Sequence, residues 1–263
     1  MQVLDTFERA AVSAGRAIME VFEAGATVRL KDDASPVTEA DERAERIILA
    51  ILATALPDTP VVAEESAAAG KVPEVAGRPF ILVDPLDGTK EFVNRREDFT
   101  VNIALVVDGA PVAGVVYAPA RGVAYSGSSA GAEKLLIAPD FTISARKAIH
   151  ARPVAEEMVA VASRSHSTPE TETFLDRQRV SSRTSVGSSL KFCLLAEGVA
   201  DVYPRFGRTM EWDTAAGDAV LRAAGGMTLD LDGLPLRYGK VGQATDSDFA
   251  NPSFIAWGRR QPV

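Results

Sequence analysis

"FILVDPLDGTKEF", residues 80–92, runs four apolar residues into two aspartates, with only Pro85 and Leu86 between them, and then into a Gly-Thr pair. A short apolar run of this kind predicts a buried strand. Acids at its exit are either solvated turn residues or ligands for hard cations, which prefer carboxylate oxygen and complete their shell with water and substrate phosphate. Gly88 would let backbone amides approach a phosphate closely, and "TKEFVNR" could open a helix whose N–H groups point at it. Spacing alone leaves the turn and the metal readings both open.

Acids stand at the ends of two further segments: Glu64-Glu65 after "VVA", and Asp213 in "EWDTAAG". These acids lie far apart in sequence, so only folding could gather them. Gathered, they suit a site in which two divalent ions, roughly 3.5–4 Å apart, clamp the attacking and leaving oxygens of phosphoryl transfer. Taken singly, Glu64 or Glu65 is a solvated loop acid, and Asp213 before "TAAGDAV" is a helix N-cap.

Upstream, Leu4, Phe7, Ala11, Ala14, Ile18 and Val21 recur at helical spacing, with Gly25 as a stop. Thr38 and Asp41 fit a capping box for a second helix with Ala44, Ile47, Ile48 and Ile51 inward. Downstream, "FTVNIALVVDGAPVAGVVYAPARGVAYSGSSAG" reads as three β-rich runs of an antiparallel meander, broken at Asp108-Gly109 and Arg121-Gly122. From Met158 the pattern alternates: strand "MVAVASRS", helix "TPETETFLDRQR", strand "VSSRTSVG", helix "SSLKFCLLAEG", strand "ADVYPRF", and a helix ended by Gly225-Gly226. The composition shift across 138–144 divides an α+β domain, residues 1–138, from an α/β domain with a mixed sheet, residues 139–263.

The 263 residues are 46% hydrophobic and carry a net charge of −8, so a folded core is expected and nucleic-acid polymers are disfavoured as partners. A small phosphorylated substrate stays compatible with that charge where bound cations invert the local field. The single cysteine, Cys193, has no partner for a disulfide and reads as a buried small residue. No apolar run approaches the ~20 residues of a membrane span. A cytoplasmic protein is the expectation, with peripheral association at the inner face of the cell membrane left open. The sequence sets no oligomeric state.

"DPLDGTKEF" together with "EWDTAAGDA", and "EES" upstream, resembles the Mg²⁺-dependent, lithium-sensitive phosphatases related to inositol monophosphatase. More narrowly, "SPVTEAD", "FTVNIALV", "GVVYAPA", "SRSH", "GSSLKFCLLAEG", "YPRFG" and "WDTAAG" resemble the CysQ type of 3'(2'),5'-bisphosphate nucleotidase. The resemblance implies a five-layered αβαβα sandwich with the site between domains. It places the metal ligands at Glu64, Asp84, the Leu86 carbonyl, Asp87 and Asp213, for about two or three Mg²⁺ ions. Asp41 and Thr89, with Glu64, become the catalytic set that orients and deprotonates water. Gly88, Thr89, His166, Ser188, Ser189, Lys191, Tyr203 and Arg205 become the substrate contacts, because a second phosphate needs cationic anchors of its own. Arg164 is a further cation without an assigned contact. The implied reaction is hydrolysis of 3'-phosphoadenosine 5'-phosphate to AMP and phosphate, in sulfur assimilation or nucleotide recycling. The rivals are an inositol monophosphatase and a non-catalytic nucleotide or metal sensor.

Overall fold

The computed structural model describes residues 2–30, 36–162, 168–178 and 180–259. The chain opens with α1 (Gln2–Ala24), the antiparallel pair β1 (Val28–Leu30) and β2 (Pro36–Thr38), α2 (Glu39–Ala55), β3 (Val61–Ala63) and α3 (Glu64–Ala68). Next come β4 (Phe80–Asp87), α4 (Thr89–Val93) and the run β5 (Thr100–Val107), β6 (Ala110–Ala118), β7 (Val123–Ser128), β8 (Gly131–Ile137) and β9 (Ile143–Ile149). The second half holds β10 (Met158–Ala162), α5 (Pro169–Arg177), β11 (Val180–Ser185), α6 (Leu190–Ala196), β12 (Val202–Arg205), β13 (Thr209–Met210), α7 (Glu211–Ala223), β14 (Met227–Asp230), β15 (Ala250–Asn251) and β16 (Phe254–Trp257).

β3 to β9 form one seven-stranded sheet in sequence order, antiparallel except for β3 beside β4. The meander is therefore longer than the three runs expected. "AEKLLI" and "ISARKAI" extend it, and residues 138–142 are the turn joining β8 to β9. The second sheet is mixed, in the order β11-β10-β12-β16-β14.

The expected five layers are present. On one face of the large sheet, Phe7, Ala14 and Ile18 of α1 and Ala44, Ile48 and Leu52 of α2 pack on Ile81, Val83, Ile103 and Val115. Ile47 and Ile51, expected inward, are only half-buried, because the buried stripe of α2 runs through Ala44, Ile48 and Leu52. On the other face, Leu82, Ala104 and Val116 meet α6 and α7, which also cover Tyr203, Phe254 and Ala256 of the second sheet. Leu175 of α5 closes the far side against Met158, Val202 and Trp257.

The pleat decides where the acids point. Along β4, Ile81 and Val83 face α1 and α2, whereas Phe80 and Leu82 face the α6–α7 layer. Period-two alternation carries Asp84 to that second side. A register shift between Asp84 and Asp87 then breaks the ladder with β5, so the strand exit is bulged rather than regular. α7 reaches the same place by lying very close to the sheet. A Cβ on Gly114 would sit 2.8 Å from the Ala216 carbonyl, and one on Gly127 2.7 Å from the Val220 Cα.

Among the described residues no helix is long and apolar enough to cross a membrane. Gly127→Val should push α7 off β7 and cost about 1–3 kcal/mol, the usual range for overpacking. Urea or thermal unfolding would measure it, and an unchanged midpoint would contradict this close approach.

Candidate active site

A cavity of about 290 Å³ opens where β4, α4, α6, β12 and α7 converge. Glu64, Asp84, Asp87 and Asp213 all line it, as do Gly88 and Thr89. Ser188, Ser189, Lys191, Tyr203 and Arg205 line it too. The segments expected to meet only in the folded state do meet. Glu65 does not line this cavity. Its amide instead donates to the buried Glu45 carboxylate at 2.8 Å, which with Ser66 Oγ at 2.6 Å anchors the start of α3 and leaves Glu64 to the cavity. His166 and Arg164 lie outside the described residues.

Each aspartate is oriented by a bond to one of its oxygens. Asp84 Oδ1 accepts the Leu86 amide at 3.0 Å. Asp87 Oδ2 accepts Ser188 Oγ and the Ser189 amide, both at 2.8 Å. Asp213 Oδ2 accepts the Met210 amide at 2.7 Å, so Asp213 is the third residue of α7 and not its N-cap. Burial pushes the Asp84 carboxyl well above the usual carboxylate range, and the charges of Glu64, Asp87 and Asp213 push it further. Asp213 is raised by burial and by Asp87 and Glu64, against the Met210 amide and Arg205.

Such a set disfavours itself unless something positive joins it. Buried like charges raise one another's pKa, and a bound cation inverts that logic. The donors are all carboxylate or carbonyl oxygens, the chemistry of Mg²⁺ or Ca²⁺ and not of a thiolate-rich zinc site. Among the described residues no three of these side chains are already closed about one point. A hard cation that keeps water and takes oxygen from its substrate does not require that closure. The residues that could hold such ions are Glu64, Asp84, Asp87 and Asp213, with the Leu86 carbonyl, which also accepts Thr89 Oγ1 at 3.2 Å.

Beside the acids, Thr89 Oγ1 lies 3.2 Å from Asp41 Oδ1. Asp41 Oδ2 is meanwhile held by the Thr38 amide at 2.8 Å and the Thr38 hydroxyl at 2.7 Å. The capping box is thus formed, and it occupies one carboxylate oxygen while the other faces Thr89. Burial pushes Asp41 up to about 6, with the Glu64 charge adding. Gly88 precedes Thr89 with φ of 92°, in the left-handed region that glycine adopts without a Cβ penalty.

Cations line the same cavity. Lys191 is buried, and its Nζ donates to the Ser188 carbonyl at 2.6 Å while lying 5.4 Å from the centre of the Tyr203 ring. Burial lowers it to about 8, against the pull of Asp87. Arg205 is braced by the Gly207 and Arg208 carbonyls, each at 3.1 Å. Ser189 is more committed than a plain substrate contact, since its hydroxyl donates to the Asp213 carbonyl at 2.6 Å and accepts Asn102 Nδ2 at 3.0 Å. Asn102 also reaches Asp87 Oδ2 at 3.4 Å. Sequence reasoning missed Thr100 and Asn102. Their signal was two polar side chains at strand period inside "FTVNIALV", both of which prove buried. Cys193 is fully buried, and burial pushes its thiol up, as befits a packing residue.

Cation binding here should register as stability. At Mg²⁺ a hundredfold above its dissociation constant, the wild-type protein should gain about 2.7 kcal/mol. Asp84→Asn, which relieves the buried repulsion, should melt higher than wild type without metal and gain far less when Mg²⁺ is added. Thermal unfolding with and without chelator would show this, and an equal Mg²⁺ response in both proteins would remove Asp84 from the cation site.

The inositol monophosphatase family profile matches residues 1–256. The chain is 44% identical over 254 residues to the 3'(2'),5'-bisphosphate nucleotidase CysQ of Escherichia coli strain K12, covering 96% of this chain and 98% of that one. The CysQ of Salmonella typhimurium is 45% identical over 244 residues, 92% of this chain and 94% of that one. Among solved structures, CysQ from Bacteroides thetaiotaomicron superposes with a TM-score of 0.79 at 38% identity, over 98% of this chain and 97% of the other. The gathered acids, the five layers and these likenesses have one reading: the chain belongs to the inositol monophosphatase family.

Proposed function

We propose that the protein is a Mg²⁺-dependent phosphatase that hydrolyses 3'-phosphoadenosine 5'-phosphate to AMP and phosphate. The observation that carries this is a single cavity lined both by Glu64, Asp84, Asp87 and Asp213 and by the cations Lys191 and Arg205. A substrate with two phosphates matches both sets, one phosphate on the metal ions and the second on the cationic anchors. The likeness to proteins named 3'(2'),5'-bisphosphate nucleotidase supports the same choice over an inositol monophosphatase. A non-catalytic sensor would have no use for the Asp41–Thr89 pair.

Divalent cations, on the order of two or three Mg²⁺ ions, would neutralise phosphate charge and acidify water when bound. The chain's own residues supply orientation and the proton path. Thr89 Oγ1 donates to Asp41 Oδ1, which leaves its lone pairs to fix the direction of an attacking water. Asp41, held by Thr38, takes the proton passed through Thr89. Gly88 and the amides after it face the ester phosphate. Ser188 and Ser189 hold Asp87 in place. Lys191, Tyr203 and Arg205 cradle the second phosphate and the nucleoside.

Turnover of the adenosine bisphosphate and of inositol monophosphate, compared with Mg²⁺ present, tests the reading; preference for the inositol ester would overturn it. Asp87→Asn should abolish turnover. Thr89→Ala should lower kcat by about 10²–10⁴, the usual contribution of proton transfer, with a small change in KM. Lys191 has a lowered pKa, so its charge is present below about pH 8 and lost as pH rises through it. For the bisphosphate, kcat/KM should therefore fall above pH 8, and this limb should vanish in Lys191→Met. A limb that persists in the variant would assign it to another group.

A further inference from the structure

Residues outside the cavity wall hold the loop that joins its acids to its cations. Asp98 is buried and does not line the cavity. Its Oδ2 accepts the Gly187 amide at 3.1 Å, and its Oδ1 pairs with the Arg121 guanidinium, at the end of the 3₁₀ turn Pro119–Arg121 between β6 and β7. The fit around Asp98 is tight. A Cβ on Gly187 would lie 2.8 Å from both the Asp98 Cβ and carbonyl oxygen, and one on Gly88 would lie 3.0 Å from that same oxygen. Asp98 therefore touches both glycines of the site, one after the β4 acids and one before Ser188.

Gly187 leads directly into the residues that grip Asp87. Ser188 has a φ of 55°, an uncommon conformation for a residue with a side chain. That conformation aims the Ser188 hydroxyl and the Ser189 amide together at Asp87 Oδ2. The same turn exposes the Ser188 carbonyl to Lys191 Nζ. Asp98 also favours the charged form of Lys191 electrostatically. A buried carboxylate bonded to one amide is costly to leave unpaired, so Arg121 fixes the position of Asp98 in turn.

We propose that Asp98, held by Arg121, is a positioning residue for this phosphatase: it sets the 187–189 loop so that Asp87 is oriented for divalent-cation binding. The proposal rests on the phosphatase reading above. Loss of an outer partner of a metal ligand usually costs about ten- to a hundredfold in metal affinity or activity. Arg121→Gln should therefore weaken Mn²⁺ binding by about tenfold or more, read by electron paramagnetic resonance titration without substrate. It should lower kcat on the bisphosphate by a similar factor and move KM less. Arg121→Lys, which keeps the charge, should recover part of both.

Arg152 and Asp201 supply the control. They form an equally buried ion pair, with Asp201 fully buried and bonded by Arg152 at 2.6 and 2.8 Å, away from the cavity. Arg152→Gln should lower the unfolding midpoint and leave Mn²⁺ affinity and kcat of the folded fraction at wild-type values. Wild-type Mn²⁺ affinity in Arg121→Gln, or equal losses in Arg121→Gln and Arg152→Gln, would overturn the proposal. Should Arg121→Gln not fold, Gly187→Ala probes the same contact from the loop side, and wild-type cation affinity there would overturn it as well. Wild-type protein that binds Mn²⁺ yet does not hydrolyse the bisphosphate would instead sink the substrate reading and leave the cation-affinity comparison standing.

Discussion

Glu64, Asp84, Asp87 and Asp213 share one cavity, and the rest of the structure is arranged to keep them there. Coulomb repulsion and desolvation both oppose such a cluster in a protein interior. The chain answers with donors that fix orientation: the Leu86 amide on Asp84, the Met210 amide on Asp213, and the Ser188 hydroxyl with the Ser189 amide on Asp87. These bonds do not neutralise the charge. They stop the acids from turning away from one another, which is the escape open to an exposed acidic cluster. The remaining tension is what a divalent cation would relieve, and it is why cation binding should register as stability in this fold.

Rigid packing makes that arrangement possible. β4 delivers Asp84 and Asp87 from within a seven-stranded sheet, with neighbours hydrogen-bonded on both sides. α7 delivers Asp213 by lying against Gly114 and Gly127, where any side chain would force it outward. Its first residue, Glu211, is fully buried and binds the Gly239 and Lys240 amides at 2.6 and 2.9 Å. The helix start is thus pinned from behind as well as from below. Sites built on such elements hold geometry better than sites built on loops.

Much of this was legible before folding, for identifiable reasons. The apolar run "FILV" and the turn chemistry around Gly88 are local, so the strand, its exit and the short helix could be read directly. The Thr38–Asp41 capping box was readable on the same grounds, and it forms. The gathering of Glu64, Asp84, Asp87 and Asp213 was not local, and only the resemblance to a family linked them. Asn102 and Asp98 were missed because each acts through a partner 87 or 89 residues away, Ser189 and Gly187, a pairing that no spacing rule contains. The meander is longer than its sequence suggests because "AEKLLI" and "ISARKAI" carry charges that look like loop. They are the outer strands of the sheet, and in β9 five consecutive residues, 144–148, meet solvent.

The acids and the cations of the cavity are not independent. Ser188 gives its hydroxyl to Asp87 and its carbonyl to Lys191, so a single residue in a left-handed conformation joins the acids to the cations. An anion that draws the Lys191 ammonium toward itself competes with that carbonyl. The loop then answers to what binds at the cations as well as to what binds at the acids. Binding energy from a non-reacting phosphate can in this way be used to orient a group at the reacting centre, which is how remote contacts raise turnover and not affinity alone. On the proposed reading, a substrate with only one phosphate would leave Lys191 on Ser188 and forgo that contribution. Selectivity for bisphosphates over simple monoesters would then, on the same reading, be partly a property of one backbone carbonyl, and not only of the charges that line the pocket.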